Sequence, residues 1–231
     1  MPTLDVECLR VPLSPPQSVA GTSGLLWRSE GSRPGLVLAH AAGSSIADPV
    51  LRAVSRRLAE SGHPVLCFNF AYAELGQKRP DPPARLRSAF RDAITVARRH
   101  VGSRSLLLGG RSMGGRVASL LAAEGHPCAG LVLLGYPLHP VGRPESLRTA
   151  HWPQLSVPAL FVQGDRDRLC DLDRFEAERA GLPSADLHVV RGADHGFRVR
   201  RSDGRDPAEI LDEVVGAVTA WLRRRTAADA A

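Results

Sequence analysis

Ser112, His195 and one of two aspartates, Asp165 or Asp167, are the residues of this 231-residue chain whose types and spacing could perform nucleophilic chemistry. A serine hydroxyl is a poor nucleophile at neutral pH. It needs a base, and the base needs an acid that orients it and stabilises its charge. Ser112 stands in Gly110-Arg111-Ser112-Met113-Gly114, a G-x-S-x-G pattern inside the stretch LLLGGRSMGGRVASLLA. That stretch opens on large apolar residues and closes on apolar residues at helical spacing. Glycine disfavours a helix by about 1 kcal/mol against alanine and weakens a strand as well. Four glycines around one serine therefore need another reason. A sharp strand-to-helix turn supplies it: the turn projects the hydroxyl, and small neighbours let helix and strand approach. The helix that begins there adds its dipole and free N–H groups, which favour negative charge. A phosphate loop would need GxxxxGK[ST] and a dinucleotide site GxGxxG, and neither is here.

The partners follow in chain order. ALFVQGDRD reads as a strand followed by Asp165 and Asp167, and LHVVRGADHGF as a strand followed by His195. Serine, acid and histidine, each just past a strand, is far more specific than G-x-S-x-G alone. The acid is read as Asp167, with Asp165 as the alternative. Asp194 is set aside because chain neighbours in an extended loop point apart. Asp165, Asp167 and Glu176 occupy positions one, three and twelve of an EF-hand-like loop. Cys170 stands where that loop needs glycine, so calcium is discounted. His63 and His126 precede prolines in turns and read as surface residues, His100 ends a helix, and His188 lies in a strand. No pair of histidines has metal-ligand spacing. Neither a metal nor an organic cofactor is expected. Acyl transfer also needs donors for an oxyanion. The backbone N–H of Met113 is one candidate. The other comes from His40-Ala41-Ala42-Gly43, with Ala42 as the choice and Ala41 as the alternative.

The elements that must carry these residues can be read from periodicity. LDVECLRVPL alternates as a half-buried strand does, and VAGTSGLLW is a second strand after the Pro15-Pro16 turn. PGLVLAH and HPVLCFNFAY are continuous apolar runs, as in strands buried on both faces. Between them Asp48 caps a helix, Pro49 suits its first turn, and Val50, Leu51, Val54 and Leu58 form its apolar face, ending near Gly62. ELGQKRPDPPA is a loop, and Leu86, Phe90, Ile94 and Val96-Ala97 mark the next helix. Then come SLLLGG (strand), SMGGRVASLLAAEG (helix), AGLVLLGYP (strand), a loop over 138–156, VPALFVQGD (strand), a helix over 172–180, ADLHVVRGAD (strand) and a last helix over about 207–224. Strands alternating with helices predict an α/β fold: a mostly parallel central sheet with helices on both faces. No repeat or composition break divides the chain. Residues 1–225 are expected to form one domain and 226–231 a flexible tail.

Composition narrows the partners. The formal charge is +6, carried almost wholly by arginine, since Lys78 is the only lysine. The arginines are scattered and the aromatics few, unlike a nucleic-acid stripe. Arg223, Arg224 and Arg225 suit the end of the last helix. Cys8, Cys67, Cys128 and Cys170 form no CxxC, and Cys67 and Cys128 read as buried hydrophobes, which suits a reduced compartment. The first residues lack a signal-peptide pattern, and no apolar run approaches the ~20 residues of a membrane span. The expectation is a cytoplasmic protein with a small-molecule substrate and without nucleic-acid or membrane partners.

With these residues in hand, the sequence resembles the α/β-hydrolases. More narrowly, it is similar to small bacterial hydrolase-like proteins grouped with the KANSL/TEX-type hydrolase-like domain, near dienelactone hydrolase. LGGRSMGGRVAS, LLGYPLHPVGRPESLRTAHW, VPALFVQGDRD and GADHGF carry the likeness. It implies an α/β-hydrolase fold without a large cap domain and a Ser112-Asp167-His195 triad. Two departures stand out. Ala41 replaces the first glycine of the usual H-G-x-G oxyanion loop, so a positive φ there would be strained. The nucleophile is serine, whereas dienelactone hydrolases use cysteine, so their substrate is not implied. Animal relatives include a non-enzymatic-looking subunit of a histone acetyltransferase complex.

Two functions follow. One is a serine hydrolase of an ester or thioester. The other is a binding or scaffold protein that keeps the fold with little turnover, against which an intact triad argues. The segment from Tyr136 to Trp152 is expected to wall the pocket, with Leu138, His139 and Arg143 shaping access and Arg143 or Arg111 favouring an acidic substrate group.

Overall fold

The computed structural model describes residues 6–30, 33–101, 105–182 and 184–228. Eight strands form one sheet: β1 Val6–Pro12, β2 Gly21–Trp27, β3 Gly35–Ala39, β4 Val65–Phe68, β5 Leu106–Arg111, β6 Gly130–Leu134, β7 Ala159–Gly164 and β8 Ala185–Val190. Their order is β1-β2-β4-β3-β5-β6-β7-β8. β2 pairs antiparallel with β1 and with β4, and β3 through β8 run parallel to one another. β1 alternates because it is the edge strand, whereas β2 lies inside it, paired on both sides and mostly buried. β3 to β7 are buried on both faces, which is why they read as unbroken apolar runs.

Helices cover both faces. α1 Pro49–Glu60 and α6 Pro207–Ala228 pack on one side, where Leu51, Val54, Leu58, Ile210, Val214 and Trp221 are buried. α3 Pro83–Val101, α4 Met113–Ala123 and α5 Leu172–Arg179 cover the other through Phe90, Ile94, Val117, Leu121 and Phe175. Asp48 caps α1 as its sequence predicts, accepting from the Leu51 N–H. This is the α/β arrangement that the resemblance implies, and among the described residues no large cap domain stands over the sheet.

Two local readings are corrected. The run HPVLCFNFAY leaves the sheet after Phe68, and Ala71–Glu74 forms a single helical turn, α2. Asn69 and Phe70 are held there by side chains: Asn69 accepts from the Ile46 N–H and the Phe70 N–H donates to His40. The last helix also continues past residue 224 to Ala228, and residues 229–231 of the expected tail lie outside the described residues.

Candidate active site

β5 delivers Ser112 to the carboxyl edge of the sheet. Ser112 adopts φ 52°, ψ −115°, a left-handed conformation rare for a side-chain-bearing residue, and acts as the N-cap residue of α4 without a side-chain cap bond. An N-cap serine ordinarily turns its hydroxyl on its own helix. Here the strained turn leaves it for other partners. Two glycines make that turn. Gly110 has φ 147°, and a Cβ on it would lie 2.2 Å from the Ala39 carbonyl oxygen of β3; a Cβ on Gly114 would lie 2.2 Å from the same oxygen. The glycines of the motif are thus where α4 and β5 press against β3.

His195, in the loop after β8, places Nε2 2.8 Å from Ser112 Oγ. Its Nδ1 lies 2.7 Å from Asp167 Oδ2. The Asp167 side chain is fully buried and the histidine ring about a quarter exposed. Asp167 Oδ1 also accepts from the Leu169 N–H, so both carboxylate oxygens are engaged. The chain of hydrogen bonds can move the hydroxyl proton to the imidazole while the buried carboxylate faces the charge that results. Asp165 is turned elsewhere, on the Gly192 N–H at 2.7 Å, and Asp194 accepts from the Gly196 and Arg198 N–H groups. Asp165 therefore ties the loop after β7 to the loop after β8, and Asp194 braces the turn of its own loop.

The loop after β3 is built around one peptide. The Ala41 carbonyl accepts from the Ser44 N–H at 3.2 Å and the Tyr72 hydroxyl at 3.4 Å, and lies 2.8 Å from His40 Nδ1. His40 Nε2 accepts from the Phe70 N–H, so the ring proton sits on Nδ1 and is donated to Ala41. Burial lowers the pKa of His40 to about 4 and keeps it neutral. In a trans peptide C=O and N–H point in opposite directions. With the Ala41 oxygen gripped from inside, the Ala42 N–H faces away from the core at the end of β3, next to β5. Among the described residues no backbone carbonyl accepts from the N–H of Ala42 or Met113. The positive φ of this loop falls on Gly43, at 69°, and not on Ala41. The alanine of the H-A-A-G stretch is therefore unstrained.

Several sequence expectations move. Leu138 is fully buried and His139 nearly so. His139 Nε2 accepts from the Asp171 N–H and its own N–H donates to Leu169, so it staples the Asp167 loop instead of shaping access. Arg111 is paired with Asp48 at 2.5 Å, with only 16% of its side chain exposed, and its charge is neutralised there. Arg143 is exposed on the surface. His63, expected at the surface, is buried with Nδ1 on the Pro34 carbonyl, because the turn after α1 folds under the start of β3. Sequence reasoning missed the role of His40; the signal was a histidine ending a strand that is otherwise wholly apolar.

Among the described residues no cluster of three His, Cys, Asp or Glu side chains is placed to hold a metal ion, and no helix is long and apolar enough to cross a membrane. All four cysteines are free thiols.

A strained serine after a central parallel strand, with the loops after β7 and β8 converging on it, defines a class of protein. A family model described as an alpha/beta hydrolase domain matches residues 32–223, and the chain belongs to that family. The fold is shared along nearly the whole length with solved structures. An alpha-beta serine hydrolase homologue from Coxiella burnetii is 21% identical, with TM-score 0.70 over 90% of this chain and 95% of that one. Dienelactone hydrolase from Anabaena variabilis is 21% identical, with TM-score 0.75 over 96% and 98%. A serine hydrolase without a lid from Xanthomonas campestris is 20% identical, with TM-score 0.68 over 96% and 96%.

Proposed function

We propose that this protein is a serine hydrolase of esters or thioesters. Ser112 is the nucleophile, His195 the base, Asp167 its orienting acid, and the N–H groups of Met113 and Ala42 bind the oxyanion. The single observation that carries the reading is the hydrogen-bonded chain from Ser112 Oγ through His195 to buried Asp167. Ser112 Oγ attacks the carbonyl carbon as its proton passes to His195 Nε2. The carbonyl oxygen becomes an anion between two backbone donors at the start of α4 and the end of β3. Collapse expels the alkoxide or thiolate, which takes the proton from His195. A water then repeats the sequence, with His195 as base, and frees the acid and Ser112.

The whole eight-stranded sheet with α6 packed on it supports residues 1–225 as one catalytic unit. The GYPLHP and GRPE stretches support a place beside the KANSL/TEX-type hydrolase-like domains, and four free thiols support a reducing, cytoplasmic setting. The test is labelling with a fluorophosphonate, which requires an activated serine, together with turnover of simple esters by the wild type and Ser112→Ala. Labelling and turnover that both vanish in Ser112→Ala support the reading. Turnover that survives Ser112→Ala removes Ser112 as the nucleophile, and a wild type that neither labels nor turns over ester leaves the fold to a binding role.

A further inference from the structure

We propose that Arg111 and Asp48 are a positioning pair for the site, holding the oxyanion loop after β3 and the His195 loop after β8 in place against Ser112. The inference rests on Ser112 being the reacting residue and adds to that reading two residues that act through others.

Arg111 is the last residue of β5, so its backbone leads directly into Ser112. Its side chain reaches two other loops. Nη1 donates to Asp48 Oδ2 at 2.5 Å. Nη2 packs on Gly196, the residue after His195: a Cβ on that glycine would lie 3.4 Å from Nη2. Asp48 gathers the loop that carries Ala42. Its Oδ2 also accepts from the Ser44 hydroxyl at 3.2 Å, and its own N–H donates to the Ser45 carbonyl at 3.0 Å. The Ser44 N–H in turn donates to the Ala41 carbonyl at 3.2 Å. That carbonyl belongs to the same peptide as the Ala42 N–H, the candidate oxyanion donor. One ion pair therefore touches the strand end that bears the nucleophile, the loop that bears the base and the loop that bears the donor.

Helix capping does not account for the pair. The cap uses only Asp48 Oδ1, on the Leu51 N–H at 3.0 Å, and an asparagine or serine would cap as well. The other oxygen and the full negative charge face Arg111. Among the described residues no other arginine–carboxylate pair is as deeply buried on both sides. Such a pair offsets its own desolvation poorly, and apolar residues of similar volume are often as stable. Arg111 Nε is also buried with no hydrogen-bond partner, a further penalty. What the pair supplies is direction: a planar, charged fork of fixed geometry set against a carboxylate.

The test measures hydrolysis of p-nitrophenyl acetate and inhibition by phenylboronic acid, which adds to a serine hydroxyl as a tetrahedral anion. The proteins are the wild type, Arg111→Met, Arg111→Met/Asp48→Asn, Arg111→Lys and Ser44→Ala, each assayed well below its own Tm. In Arg111→Met kcat should fall by about 10–100-fold with KM little moved, because displaced catalytic groups are felt in the transition state. Ki for the boronate should rise with it, whereas a fraction of unfolded molecules would lower kcat and leave Ki unchanged. Asp48→Asn in the double variant removes the stranded carboxylate, so stability should return in part while kcat and Ki do not. Arg111→Lys, whose single ammonium cannot span Asp48 and Gly196 together, should lie between. Ser44→Ala, which loosens the oxyanion loop alone, should give a smaller change in the same direction. Should Arg111→Met fail to fold, the other three variants carry the comparison. A kcat that returns with stability in the double variant, a lowered kcat with an unmoved Ki, or unchanged kinetics throughout overturns the positioning role and leaves the Ser112 reading standing. A wild type that neither hydrolyses the ester nor binds the boronate removes the Ser112 reading, and the positioning role with it.

Discussion

Lowering the pH should weaken this fold through His40, and the size of the effect can be worked from the structure. His40 is fully buried, donates from Nδ1 to the Ala41 carbonyl and accepts at Nε2 from the Phe70 N–H. A proton added to Nε2 would face the Phe70 N–H, donor against donor. The folded protein therefore resists protonation down to about pH 4, while the unfolded chain binds the proton near 6.5. Between those values the unfolded state holds more protons, so stability falls as pH falls through this window and is fully retained above it. At about 1.4 kcal/mol per pH unit, the full window is worth about 3 kcal/mol for this one residue. Urea unfolding at several pH values between 7 and 4 measures it, in the wild type and in His40→Gln, which cannot titrate. His151, His63 and His126 are depressed as well and remain in both proteins, so the difference between the two curves isolates His40. The wild type should lose stability more steeply, with the excess approaching that value near pH 4. The same variant removes one of three grips on the Ala41 oxygen. One hydrogen bond is worth about 0.5–1.5 kcal/mol net, so kcat at pH 7.5 should fall by up to about tenfold, with KM little moved. Parallel pH curves for wild type and His40→Gln would refute the assignment of the buried, neutral imidazole.

Other perturbations have equally definite outcomes. Asp167→Asn should lower kcat by about 10⁴-fold by favouring the wrong imidazole tautomer, whereas Asp165→Asn, which can still accept from Gly192, should change it little; steady-state ester kinetics separate them, and a reversed order would move the acid to Asp165. Gly114→Ala places a Cβ 2.2 Å from backbone oxygen that cannot yield easily, so thermal unfolding should show a marked loss of stability and fluorophosphonate labelling should fall with it. Arg111→Met strands the buried Asp48 carboxylate and should destabilise by about 3 kcal/mol; adding Asp48→Asn should recover part of that, and a double variant no better than the single would mean the pair is not coupled.

Much of this protein was legible in its residues because the signals are local. The unbroken apolar runs of β3 to β7, the cap and proline of α1, and the glycines around Ser112 each report a constraint acting within a few residues: burial on both faces, an unsatisfied helix end, a turn with no room for a Cβ. The order of Ser112, Asp167 and His195, each just beyond a strand, carried the candidate site for the same reason, since a parallel sheet brings the carboxyl ends of its strands to one edge. Contacts between distant segments were decided only by the tertiary structure. Whether Asp165 or Asp167 faces His195 depends on how the β7 loop crosses the β8 loop. That Arg111 is spent on Asp48 depends on the end of β5 meeting the start of α1, sixty-three residues earlier in the chain. That His40 clamps Ala41 requires Phe70, thirty residues on, to present its N–H to the ring. A side chain's type and spacing limit what it can do, but its charge state, hydrogen-bond direction and partner come from groups far away in the chain, which only packing brings within reach.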